Sequence, residues 1–145
     1  MGNRFKGWTE KAVSRFVDDD NFIISKKENT FINTLADELS KKNFVCIKEY
    51  KFLKDRRFRF DLALPQHKIA IEYEGGVWSN GRHTRGKGYI SDIKKYNLAT
   101  MHGWKLLRYT TEDTKQKNWQ IKVADEIINF VNKNSEQGDG KIQNC

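Results

Sequence analysis

Proline is almost missing from this chain: Pro65 is the only one in 145 residues. Cysteine is nearly as scarce. Cys46 and Cys145 are the two present, too few and too badly spaced for a disulfide framework or a cysteine-based zinc site. A reducing compartment is the simpler expectation. No apolar run approaches the ~18 residues a membrane span needs, and no hydrophobic leader follows the first residues. The expectation is a soluble, cytoplasmic protein without a membrane partner. No Gly-x-x-x-x-Gly-Lys-Ser/Thr occurs, which excludes a P-loop. There is no internal repeat.

What is present points to a folded, basic domain. Four Trp, five Tyr and nine Phe are more than a disordered chain carries. A length of 145 residues suits one domain with a real core. Lys and Arg total 27 against 19 Asp and Glu, a net charge of +8. That balance favours a polyanionic partner without identifying one.

Hydrophobic periodicity divides the chain. Residues 1–24 read as an N-terminal extension with one short helix, capped by Thr9 and broken at Asp18-Asp19-Asp20. Ser25-Lys26-Lys27-Glu28 has the form of a capping box, with Phe31, Ile32, Leu35 and Leu39 following at helical spacing, so a helix is expected over 26–42. Strands are expected over 44–52, 56–64 and 68–74, a helix over 89–102 ending at Gly103, a strand over 104–109 that is apolar except at Lys105 and Arg108, and a last helix over 118–131. Residues 132–145 read as a disordered tail. The order α, β, β, β, α, β, α predicts an α/β domain over 25–131, with a mixed sheet of about four strands flanked by helices.

The acids of the predicted hairpin carry the chemistry. With Pro65-Gln66 as a two-residue turn, Leu64 pairs with His67, Asp61 with Ala70, Arg59 with Glu72 and Arg57 with Glu74. Asp61, Glu72 and Glu74 then share one face, while Phe58, Phe60, Leu62, Ile69, Ile71 and Tyr73 fill the core on the other. A turn one residue longer would put one strand's apolar set on the wrong side. Three carboxylates this close repel unless a cation sits among them or one stays protonated. Hard oxygen ligands suit Mg²⁺ or Mn²⁺. The competing reading is a solvated face on which Arg57 and Arg59 pair with the glutamates.

The run Phe60-Asp61-Leu62-Ala63-Leu64-Pro65 followed by Ile69-Ala70-Ile71-Glu72-Tyr73-Glu74-Gly75 resembles the core of PD-(D/E)XK nucleases, closest to the branch of very-short-patch-repair endonucleases and their small bacterial and phage relatives. Asp92-Ile93-Lys94-Lys95-Tyr96-Asn97-Leu98 and Gly103-Trp104-Lys105-Leu106-Leu107-Arg108-Tyr109 are similar to the helix and strand that close that restriction-endonuclease-like fold. The resemblance covers residues 25–130. It implies that Asp61 and Glu72 ligate a divalent metal, Mg²⁺ or Mn²⁺, with the Tyr73 carbonyl as a further ligand. It implies too that Glu28, on the first helix, reaches the metal through water; as part of a capping box Glu28 has a second explanation. Glu74 stands where the family has a lysine. Lys95 is the candidate to fill that gap, against the alternative of an exposed ion pair with Asp92 three residues away. His83 is a candidate general base, or else a loop histidine. His67 reads as a solvated turn residue and His102 as a cation at a helix C-terminus.

Residues 74–89 read EGGVWSNGRHTRGKGY. Arg82, Arg85 and Lys87 would bring cations to phosphates, and Trp78 and Tyr89 aromatic faces to bases. The alternative is a surface loop with both rings packed on the domain. The expected function is a divalent-metal-dependent DNA endonuclease of repair, restriction or phage DNA processing. The alternatives are a structure-selective junction resolvase or nickase, which would act as a homodimer, and an inactive DNA-binding module of the same fold.

Overall fold

The computed structural model describes residues 29–75 and 86–138. The extension 1–24, the Ser25–Glu28 capping box and the end of the tail lie outside them. Helix α1 spans Thr30–Lys41, strand β1 Ile47–Lys51, β2 Arg59–Leu64, β3 Ile69–Glu74, helix α2 Lys87–Met101, β4 Lys105–Thr110 and helix α3 Trp119–Gly138. The strands form one mixed sheet in the order β1-β2-β3-β4, antiparallel except for the parallel β3–β4 pair. This is the α/β fold with a four-stranded mixed sheet that the element order predicts. The parallel pair needs a crossover, and α2 lies in it. No helix among the described residues is long and apolar enough to cross a membrane.

Each sheet face has its own apolar cluster. On one, Leu62, Leu64, Ile69, Ile71 and Tyr109 pack with α1 (Phe31, Ile32, Leu35, Leu39) and α3 (Val123, Ala124, Ile127, Val131). Phe31 anchors it, stacked on Tyr73 at 4.4 Å and on Trp119 at 4.7 Å between ring centroids. The other face is thinner. Ala63 and Ala70, directly paired, lie with Ala99 of α2, Phe60 and Trp104. Short side chains at the sheet surface let α2 lie close against it. Of α2's fifteen residues only Lys95 and Ala99 are buried.

Three expectations are corrected. The hairpin turn is not the two residues Pro65-Gln66 but a 3-10 turn, Pro65–His67, followed by Lys68 in the left-handed region at φ 50°. The register is therefore Leu64↔Ile69, Ala63↔Ala70 and Leu62↔Ile71. Asp61 does not pair with Ala70; one more step along the observed register faces it with Glu72. A turn longer by two residues preserves which side chains share a face, because the side-chain period of a strand is two. Second, β2 does not alternate throughout. Phe60 packs with Phe52 and Trp104 in the α2-side cluster, and Phe58 lines a groove there with Leu98 and Met101. Leu62 and Leu64 lie on the opposite side. The break falls at Asp61. At the same level β1 has Glu49 at φ 50°, flanked by the pairs Lys48↔Leu62 and Tyr50↔Phe60, a conformation that costs a non-glycine residue energy. Third, residues 132–138 of the expected disordered tail are helical, because α3 runs to Gly138. Asn134 and Ser135 bond back to the carbonyls of Phe130 and Val131, and Val131 is buried, so the helix stays anchored past 131.

Candidate active site

The site forms where β2 and β3 stop exchanging ordinary backbone bonds. The Tyr73 N–H donates to Asp61 Oδ2 at 2.9 Å, and the Asp61 backbone N–H bonds to the Glu72 carboxylate. The two carboxylates come together as a consequence of the local backbone, not in spite of it. Asp61 is half-buried, and Glu72 is 8% exposed.

Lys95 reaches the same point from α2. It is 9% exposed, and its Nζ donates to Glu72 Oε1 at 2.6 Å. The ammonium also lies 5.5 Å from the ring centroids of Phe60 and of Tyr96, a desolvated cation within reach of two π faces. The inversion of β2 at Asp61 is what brings the Phe60 ring to this position. Burial pushes the Glu72 carboxyl up to about 7, against the opposing pull of the Lys95 ammonium. Burial, then the Glu72 charge, also raises the Tyr96 phenol.

Glu74 corrects the expected three-carboxylate cluster. It points along the same face but is bound by Arg108 of β4 through both Nε and Nη2. Among the described residues no group of three or more His, Cys, Asp or Glu is arranged to hold a metal. The competing expectation, that Arg57 and Arg59 pair with the glutamates, is met only in kind: the cations are Lys95 and Arg108, while Arg59 Nη1 donates to the Glu49 carbonyl. Lys95 likewise turns inward to Glu72, away from the expected surface pair with Asp92, which is exposed.

Two oxygen-bearing side chains, Asp61 and Glu72, remain as candidate metal ligands. Mg²⁺ commonly takes one or two protein carboxylates and fills its octahedron with water and substrate phosphate oxygens. The donor set fits an ion held in that open way, and does not fit a closed cage.

Of the expected DNA contacts, Lys87 and Tyr89 are exposed in the first turn of α2, which begins two residues earlier than expected and so takes Lys87 from the loop onto the helix. Trp78, Arg82, His83 and Arg85, like Glu28, lie outside the described residues. His67 is exposed with its ring 5.7 Å from Phe44, and His102 caps the end of α2. Arg108 and Tyr96 escaped the sequence reading as site residues. The available signal was Arg108 itself, a charge interrupting the apolar run of β4. Comparison with family models, with curated proteins and with solved structures gives no match to this chain in any of the three.

Proposed function

We propose that the protein is a divalent-metal-dependent endonuclease acting on DNA. The observation that carries this reading is the buried Lys95–Glu72 pair beside Asp61. A buried ion pair is a poor stabilising device, because desolvation offsets much of its attraction. Here it sits on a strand distortion, at the edge of the sheet's thinner face, where catalysis explains its cost. The resemblance to PD-(D/E)XK nucleases supplies the same assignment for Asp61 and Glu72, and Lys95 stands in reach of the function that Glu74 cannot perform.

Asp61 and Glu72 would hold the metal. When bound, such an ion polarises a phosphate oxygen and makes a bound water more acidic. Lys95 Nζ uses one donor on Glu72 and has two more, which orient a water for in-line attack on phosphorus or offset charge on a non-bridging oxygen. The water oxygen bonds to phosphorus and releases a proton to solvent, the opposite P–O bond breaks, and the leaving oxygen takes a proton from solvent. The Phe60 and Tyr96 rings keep the ammonium from bulk water and fix its position. A net charge of +8 supplies general attraction to the DNA backbone.

A second reading, a DNA-binding module of the same fold that does not cut, is favoured by one feature: Glu74 replaces the family lysine and is occupied by Arg108. Plasmid nicking in Mg²⁺ or Mn²⁺, with Asp61→Ala alongside, separates the two. Cleavage by the wild type that Asp61→Ala abolishes is the expected result. Binding without cleavage of any DNA form in either metal supports the module, and equal cutting by Asp61→Ala overturns the site.

A further inference from the structure

We infer that Arg108 is a phosphate-binding residue of this site, held in position by Glu74 and Tyr96. The inference rests on the proposed nuclease reading and extends it to a residue which that reading does not use.

Arg108 is the β4 partner of Glu72 in the parallel ladder, so the two side chains leave the sheet side by side. Glu74, two residues further along β3, shares that face. Its Oε1 accepts from both Nε and Nη2 of Arg108. The guanidinium carbon lies 5.2 Å from the centroid of the Tyr96 ring. One edge of the planar group is therefore fixed by a carboxylate and one face by an aromatic ring. Those contacts use two of its five N–H donors. The rest, including both on Nη1, have no partner among the described residues, and half of the side chain is exposed. β4 is the last strand of the sheet, so no described strand covers that side.

An arginine placed only to neutralise Glu74 would need neither the ring nor the free edge, and exposed pairs stabilise little. A guanidinium held rigid with a free edge matches two oxygens of a phosphate and loses little entropy on binding one. Its neighbour on the ladder is the acid to which Lys95 is bonded. The two cations thus flank Glu72, Lys95 from the helix above and Arg108 from the adjacent strand. A phosphodiester whose phosphorus is attacked beside Glu72 would present a non-bridging oxygen, or the next phosphate of the strand, to Arg108. Charge alone does not draw the phosphate here: Asp61, Glu72, Glu74 and Asp92 outnumber Lys95 and Arg108. Binding at this point needs the divalent cation, and Arg108 then supplies direction. Glu74, an acid in the place of a lysine, acquires a role as the residue that positions Arg108.

The test measures binding of the full chain to a DNA duplex in Ca²⁺ over a range of salt, and cleavage in Mg²⁺, for the wild type, Arg108→Gln, Arg108→Lys and Glu74→Gln. Arg108→Gln should lower the slope of log affinity against log salt by about one, as loss of one phosphate contact requires. Arg108→Lys should keep the slope, with kcat reduced by about ten- to a hundredfold, because an ammonium cannot replace the fixed fork. Glu74→Gln should bind DNA at least as well as the wild type yet lose kcat, since a released guanidinium keeps its charge but not its direction. A thermal midpoint for each variant identifies any that fails to fold, and Arg108→Lys keeps the shape if Arg108→Gln does not. An unchanged salt slope in folded Arg108→Gln overturns the inference even if Asp61-dependent cleavage stands. A lowered slope in a protein that never cuts supports Arg108 and removes the nuclease reading. A wild type that binds no DNA overturns both.

Discussion

The Nζ of Lys95, on a helix, lies 2.6 Å from Oε1 of Glu72, on the central β3 strand, and both side chains are about nine-tenths buried. The two residues are 23 positions apart. Their meeting depends on the close approach of α2 to a sheet surface lined with alanine, and on the parallel crossover that returns the chain beside β3.

Removing the cation should therefore be costly, with a definite pH dependence. Lys95→Met leaves a buried carboxylate without a partner, which costs about 3–5 kcal/mol. The folded Glu72 carboxyl is already raised from 4.5 to about 7, and without Lys95 it rises further. An acid raised on folding favours the folded state while protonated, and that contribution is lost as pH rises through the folded value. The deficit of Lys95→Met in metal-free denaturant unfolding should be large near pH 8 and shrink toward about pH 5. The double variant Glu72→Gln/Lys95→Met should recover most of it. A deficit that is equal at both pH values contradicts the pairing.

The alanine surface under α2 should matter more to activity than to stability. Ala70→Leu adds bulk where Ala63, Ala70 and Ala99 meet, and overpacking costs about 1–3 kcal/mol. It should push α2 outward and separate Lys95 from Glu72, so cleavage falls far more than the unfolding midpoint. Ile71→Val, on the opposite face, should cost about 0.5–1.5 kcal/mol and leave cleavage intact. Wild-type cutting by Ala70→Leu would show that this spacing does not position the lysine.

Cys46 should be a slow thiol. Burial pushes it up to about 11 from an ordinary 9.0, so near pH 8 roughly a hundredfold less thiolate is present than in the unfolded chain. In a Cys145→Ser variant, iodoacetamide labelling should be slow in the native protein and accelerate by about that factor in urea. Equal rates in the two states contradict the burial of this side chain.

Much of the fold was legible because its signals are local. The spacing of Phe31, Ile32, Leu35 and Leu39 marks a helix, and Gly103, found at φ 79°, ends another. Asp61 and Glu72 fall on one face with either turn length, since a difference of two residues leaves strand parity unchanged. Phe60 could not be assigned. Alternation carries no sign of a strand that inverts at Asp61, because the inversion depends on Asp61 and Glu72 each bonding the other strand's backbone.

The sequence by itself determined the order of elements, the mixed sheet and the placing of two acids on one face of a hairpin. Each follows from periodicities within a few residues along the chain. Which cation meets which acid was decided only by the tertiary structure. Arg57 and Arg59 lay nearest to the glutamates in the expected register, and Lys95 had Asp92 beside it on its own helix. In the folded chain Lys95 goes to Glu72 and Arg108 to Glu74. Burial under α2 makes an uncompensated carboxylate expensive, and among the described residues α2 and β4 deliver the cations to that face. What the residue pattern presents as a three-acid cluster is, once folded, two acids with a lysine and a third acid holding an arginine.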